Sequence, residues 1–111
     1  MSGLRTYIIV YDATKPGVSP PAIHQYIVDS KDIVAWMSYI PLVHFVKTRL
    51  EPAQLAGKLT VFLQSTYFVV AEVTAYNVNG LLPKPGWDWF YFDHERLLLP
   101  SSGTASVGSI T

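Results

Sequence analysis

The chain has 111 residues, of which 50% are hydrophobic and 14% are charged, and its eight basic residues balance eight acidic ones. This length fits one domain of ordinary size. Zero net charge argues against a strong nonspecific nucleic-acid binder, and the absence of cysteine excludes disulfides and thiolate metal sites.

The first predicted elements are a strand and a helix. Residues 6–11, TYIIVY, are rich in β-branched and aromatic side chains, and both faces are apolar, as in a strand at the centre of a sheet. A loop follows. Ser19 and Pro20 are typical of a helix start, because serine caps free N–H groups and proline has no N–H to leave unpaired. We therefore predict a helix over roughly residues 20–31.

A hairpin, a second helix and a fourth strand are predicted next. The hairpin strands lie near residues 34–40 and 42–48, and Pro41 marks the turn because proline cannot donate to a strand ladder. The sequence EPAQLAGKLTVFLQ then has a helix start followed by apolar residues at helical spacing. Residues 66–75 are predicted to form the fourth strand.

The order of strand, helix, strand, strand, helix and strand is typical of an α+β sandwich with the ferredoxin-like fold. We therefore predict a four-stranded antiparallel sheet with two helices on one face, within a single domain of residues 1–96. The other face needs a cover, since so few charged residues leave a large apolar surface. A second copy of the chain is the simplest cover, so we predict a homodimer.

The last third of the chain lies outside that core and contains a dense aromatic segment, WDWFYF. Trp87, Trp89 and Phe90 are predicted to cap the sheet or to form the dimer interface, since aromatic residues dominate cores and interfaces. The alternative is a platform on which nucleic-acid bases stack. Residues 101–111, SSGTASVGSIT, are small and polar, and we predict that residues 97–111 form a tail that is flexible or added to a sheet edge.

Three sequences carry a resemblance to a known family: YIIVYD closing the first strand, WMSYIPLVHFVKT in the hairpin, and GLLPKPGWDWF after the fourth strand. Together they resemble a bacterial SinR-like family, which is related in pattern to the small subunit of CRISPR adaptation. The similarity covers roughly residues 5–92. It implies a ferredoxin-like homodimer that associates with nucleic acid.

The resemblance also implies a role for one aspartate. In the CRISPR relatives an aspartate closes the first strand near the two-fold axis, and metal-dependent nuclease activity has been assigned to that arrangement. Many relatives instead hold DNA without cleaving it. The matching residue here is Asp12. Two copies of it would suffice for Mg²⁺ or Mn²⁺, since such ions need one or two carboxylates plus waters. The other interpretation is a turn aspartate that accepts backbone hydrogen bonds.

Basic residues and histidines supply the remaining candidates. Lys15, Lys47 and Arg49 are the predicted nucleic-acid contacts, and ordinary solvated charges are the alternative. The histidines have no spacing typical of a metal site, and we expect them to be hydrogen-bonded structural residues. They are His24, His44 and His94.

The sequence leaves three functions open. The first is a homodimeric nucleic-acid-associated protein, possessing metal-dependent endonuclease activity if Asp12 is catalytic. The second is a non-catalytic dimeric module that binds a protein partner in a defence or toxin–antitoxin system. The third is a small-molecule site between sheet and helices. We expect no signal segment and no membrane span, since the uncharged apolar run at residues 33–46 is only 14 residues long and contains Pro41, and we expect a cytoplasmic protein.

Overall fold

The computed structural model describes residues 3–64 and 66–95 and the backbone of residues 109 and 110. Its strands are β1 (Arg5–Tyr11), β2 (Ile33–Ile40), β3 (Val43–Thr48), β4 (Phe68–Val73) and β5 (Ser109–Ile110). Its α-helices are α1 (Pro20–Asp29), α2 (Pro52–Leu63) and α3 (Lys84–Tyr91), and a short 3₁₀ turn (Ala75–Asn77) follows β4.

The sheet has the strand order β4-β1-β3-β2-β5, and its first four strands are antiparallel. With α1 and α2 packed on one face, this is the ferredoxin-like α+β fold, and the prediction of fold class is confirmed. The strand β5 pairs in parallel with β2 at Trp36 and Met37. The rest of the predicted tail, residues 97–108 and 111, lies outside the described residues.

The helix starts follow from local chemistry. The Ser19 hydroxyl accepts a hydrogen bond from the backbone N–H of Ala22, and proline occupies the first turn of α1. At α2 the side chain of Gln54 accepts from the backbone N–H of Glu51, which forms a capping box. The helix α1 ends two residues before the predicted limit, at Asp29.

The turn between β2 and β3 contains Pro41, as predicted, and Leu42 adopts a positive φ of 66°. The strand β4 is shorter than predicted, because the chain turns into the 3₁₀ segment after Thr74. A short helix after Gly86 with Asp88 as its cap is the sequence expectation for the aromatic segment. That expectation is wrong in detail, because α3 already begins at Lys84 and Asp88 forms an ion pair with Lys84.

The main core lies between α1, α2 and the sheet. Apolar residues recur at helical spacing on both helices and at every second position of β1, so they meet in one layer. The fully buried members include Tyr7, Ile9, Ile23, Ile27, Val46, Leu55, Leu59 and Leu63. Burial of each such side chain contributes about 1.5–3 kcal/mol, which makes this layer the main source of stability.

The opposite face of the sheet is divided. The helix α3 covers the half made by β2 and β3, where Trp89 and Phe90 pack on Ala35 and Met37. The other half, which we call the open half-face, consists of the side chains of β1 and β4 that point away from α1 and α2. By strand register they are Thr6, Ile8, Val10, Val69, Ala71 and Val73.

None of the helices in the part of the chain that the structure describes is long and apolar enough to cross a membrane.

Candidate functional site at the end of the first strand

Asp12 follows the last residue of β1 and is held in place through its backbone. Its N–H donates to the carbonyl of Tyr67 at 3.1 Å, and its carbonyl accepts from the hydroxyl of Thr66 at 2.8 Å. Both partners precede β4, so the end of β1 and the start of β4 form one fixed corner. The position of the Asp12 carboxylate is therefore set by the sheet rather than by a free loop.

The Asp12 carboxylate takes part in a turn. Its Oδ1 accepts from the Thr14 N–H at 2.9 Å and from the Thr14 hydroxyl at 2.6 Å. The turn interpretation is thus confirmed. The Thr14 hydroxyl, followed by the Thr14 N–H, lowers the pKa of Asp12, so this carboxylate is ionised at neutral pH. Both bonds fall on Oδ1, and among the described residues Oδ2 accepts no hydrogen bond.

A pocket of about 310 Å³ includes Thr66 and Tyr67, which form hydrogen bonds with the Asp12 backbone. It is lined by Lys15, Gln64, Thr66 and Tyr67, and the Tyr67 side chain is 86% exposed. We call these four residues and Asp12 the Asp12 corner. An amine, an amide, a hydroxyl and an aromatic ring thus surround one opening beside a fixed anion. These are groups that bind phosphate, base edges and base faces.

Lys47 is placed inside the molecule rather than on a basic surface. Its side chain is 5% exposed, and its ammonium lies 2.7 Å from the Trp89 carbonyl, 3.0 Å from the Phe92 carbonyl and 2.8 Å from Nδ1 of His94. It also lies 4.6 Å from the centroid of the Trp89 ring. Lys47 therefore binds the carboxyl end of α3, and a phosphate would reach it only if that end moved.

Burial is the main cause that lowers the pKa of Lys47 to about 8, and nearby Asp93 opposes it. The amine therefore remains largely protonated at neutral pH and donates to its acceptors. Its neighbour His94 is buried too, and burial followed by the charge of Lys47 lowers the pKa of His94 to about 4. The two side chains are thus a charged donor and a neutral acceptor.

The other two predicted nucleic-acid contacts lie at the surface. Arg49 forms an ion pair with Glu95. Among the described residues no ion pair engages Lys15, which is exposed beside Asp12. Of the predicted nucleic-acid contacts, the structure brings Lys15 to the Asp12 corner and places Lys47 and Arg49 elsewhere.

The predicted interface residues mostly face their own sheet. Trp89 and Phe90 are buried in the cluster that covers β2 and β3, while Trp87 is partly buried at its rim. The rings of Trp89 and Phe90 meet edge to face at 5.4 Å. In the single chain these two rings cap the sheet, and neither is available as a platform for stacked bases.

Two features of the fold have no signal in the sequence. One is the contact of Lys47 with the end of α3, and the other is the contact of His24 with His44. Each joins residues that are distant in the chain and meet through tertiary packing. In the part of the chain that the structure describes, no three or more His, Cys, Asp or Glu side chains are grouped closely enough to hold a metal ion.

Comparisons of this chain with models of protein families, with curated proteins and with solved structures each returned no match. The fold is that of a ferredoxin-like domain, a class that hosts many unrelated functions.

Proposed function

We propose that this chain forms a homodimer through the open half-face, and that the dimer binds nucleic acid at the Asp12 corner and cleaves it with Mg²⁺ or Mn²⁺. The observation that carries the proposal is the position of an ionised, sheet-anchored carboxylate beside an uncovered apolar surface. The resemblance to the SinR-like family points to the same residue.

The dimer follows from the open half-face. Val10 is 45% exposed and Val69 is 61% exposed, and they lie opposite one another on β1 and β4. Contiguous exposed apolar side chains of this kind mark interaction surfaces. A second copy presents the same surface, so a two-fold axis through it buries both copies at once.

The same geometry brings two aspartates together. Asp12 directly follows β1, and continuation of the strand's alternation would put its side chain on the side of the sheet that Val10 faces. A two-fold axis near Val10 therefore places both Asp12 carboxylates close to the axis. Each would offer Oδ2, since Oδ1 is used by Thr14.

This pair of oxygens fits a hard divalent ion, which takes one or two carboxylates and completes its shell with water. When bound there, the ion would supply an activated water and neutralise charge on the phosphodiester. The chain's own groups then have separate tasks: Asp12 holds the ion, Lys15 contacts phosphate and Tyr67 stacks on a base. The site is incomplete without the second copy.

Cleavage is tested with Asp12→Asn. Asparagine keeps the oxygen that accepts from Thr14, so the turn and the dimer are retained while the charge is lost. We expect cleavage of end-labelled single-stranded RNA or DNA in Mg²⁺ or Mn²⁺ to disappear in this variant. The matched control is Asp29→Asn, which removes an exposed carboxylate on α1. Activity that survives Asp12→Asn would rule out the mechanism.

Binding is tested separately from cleavage. We expect Tyr67→Ala to weaken binding of single strands by about 1–3 kcal/mol, and Tyr67→Phe to retain it, because stacking needs the ring and not the hydroxyl. Lys15→Gln should reduce the salt dependence of binding by about one phosphate contact. Fluorescence anisotropy at several salt concentrations measures both. If Tyr67→Ala and the parent chain bind single strands with equal affinity, the proposal that the Asp12 corner binds nucleic acid is wrong.

A second candidate function is a non-catalytic dimeric module that binds a protein partner. The burial of Lys47 and the ion pair of Arg49 favour it, because they reduce the basic surface offered to nucleic acid. It predicts a stable complex with a protein partner and no salt-dependent retention on nucleic acid. The anisotropy titration described above separates the two functions.

A further inference from the structure

Two histidines face each other from different elements. His24 on α1 and His44 on β3 approach to 3.0 Å between Nδ1 and Nε2, with their rings 5.2 Å apart and tilted by 44°. His44 is 4% exposed, whereas His24 is partly exposed. One ring of the pair is thus fixed in the protein, and the other reaches solvent.

The surroundings hold this pair in place. The ring of Trp36 on β2 meets the His24 ring edge to face at 5.0 Å and lies 6.2 Å from the His44 ring. The other nitrogen of His44, Nδ1, is buried and has no hydrogen-bond partner among the described residues. The contact to His24 is therefore the polar contact that orients His44.

The spacing of the two nitrogens matches a chelate. Two imidazole ligands of one tetrahedral ion each lie about 2.0–2.1 Å from it, so their nitrogens are roughly 3.3 Å apart. The observed 3.0 Å is a few tenths of an ångström shorter. When a metal replaces the hydrogen between the two nitrogens, a small rotation of the partly exposed His24 ring increases their separation by that amount. Solvent can complete the coordination on the open side.

We propose that His24 and His44 form a two-histidine site for a divalent late transition-metal ion of the Zn²⁺, Ni²⁺ and Cu²⁺ class. Imidazole nitrogen selects these ions over Mg²⁺ and Ca²⁺, which prefer oxygen. Burial, followed by the proximity of His24, lowers the pKa of His44 to about 4, so this ring is neutral at neutral pH and its lone pair can serve a metal. The site is distinct in ligand chemistry from Asp12.

The test is a titration of the full chain with Cu²⁺, Ni²⁺ and Zn²⁺, each alone, by calorimetry and by tryptophan fluorescence. We expect one saturable site per chain, tightest for Cu²⁺. Cu²⁺ should quench the fluorescence of Trp36, because Trp36 lies against both histidine rings. This quenching should be absent in Trp36→Phe. No saturable binding below millimolar metal would overturn the proposal.

The deciding variant is His24→Gln. His24 is partly exposed, so its replacement should leave the fold intact, whereas replacement of buried His44 endangers folding. We expect His24→Gln to weaken metal binding by more than about 10-fold. Gln25→Ala is the control, because Gln25 is an exposed neighbour on α1 that contacts neither ring of the pair. Unchanged affinity in His24→Gln, or an equal loss in Gln25→Ala, would refute the site.

Discussion

The two faces of the sheet are closed in different ways. The face under α1 and α2 is filled by aliphatic and tyrosine side chains at regular spacing. On the opposite face, the aromatic rings of α3 cover one half of the sheet, and Lys47 binds the carboxyl end of that helix. The other half of this face is open. The first face is thus held mainly by apolar burial, with the His24–His44 contact and the hydrogen bond from the Tyr7 hydroxyl to the Leu50 carbonyl as its polar contacts. The second combines burial with one charged anchor and an unfilled surface.

Leu59→Ala should have the largest effect on the free energy of unfolding. Leu59 is fully buried between α2 and the sheet, and its truncation leaves a cavity, so we expect a loss of about 3 kcal/mol in urea unfolding. Val61→Ala on the same helix is the control, since Val61 is 71% exposed and should change stability by less than about 0.5 kcal/mol. Equal losses would contradict the placement of this core.

Lys47→Met tests the charged anchor of the second face. Methionine fills a similar space but leaves the carbonyls of Trp89 and Phe92 without their donor, so we expect a loss of about 2 kcal/mol. The near-ultraviolet circular dichroism of the α3 aromatics should weaken in parallel. Lys15→Met, at an exposed position, should leave both measurements unchanged. A stable Lys47→Met chain with unaltered aromatic signal would show that α3 needs no anchor.

The anchor also predicts a pH dependence. The pKa of His94 is about 4 in the fold, below its ordinary value of 6.5, so the unfolded chain binds more protons between these values. The contribution of His94 to stability is therefore complete above pH 6.5 and is lost as the pH falls towards 4, with a slope of at most about 1.4 kcal/mol per pH unit.

His94→Gln isolates this contribution, because glutamine can still accept from Lys47 but does not titrate. Urea unfolding of both chains between these pH values measures the difference. A variant with the same pH profile as the parent chain would contradict a neutral buried His94.

Val69→Lys should have the smallest effect on the folding of one chain. Val69 is 61% exposed on the open half-face, so we expect a change below about 0.5 kcal/mol in the free energy of unfolding of the monomer. The proposed dimer should nevertheless dissociate, since the substitution puts two charges into an apolar interface. Light scattering measures the mass, with Val61→Lys on α2 as control. A persistent Val69→Lys dimer would place the interface elsewhere.

Most of the fold could be predicted from the sequence because the first face follows local rules. The alternation in β1 and the helical spacing in α2 each place one apolar stripe, and Pro41 marks the hairpin turn. The start of α3 was missed because Pro83, Lys84 and Pro85 resemble a loop, although proline fits a first helical turn.

The site could be predicted only in part. The turn at Asp12 could be predicted because a strand ends there, and Thr14 supplies its hydrogen bonds, while the catalytic role of Asp12 stays a prediction. The inward position of Lys47 and the pairing of His24 with His44 depend on contacts across the fold, at separations of 42 and 20 residues. The burial of a lysine cannot be predicted from its residue type, because a buried ammonium needs hydrogen-bond acceptors that only the tertiary structure brings together.

The enclosure of Lys47 gives the chain an internal probe of its own motion. A buried ammonium engaged by carbonyls cannot react with an acylating reagent, whereas Lys15 at the surface can. The amine becomes reactive in the fraction of molecules in which the end of α3 has left the sheet. The ratio of acylation rates at Lys47 and Lys15 therefore measures how often Lys47 is uncovered, and its excess over the fraction unfolded in the whole chain measures how often the second face opens by itself.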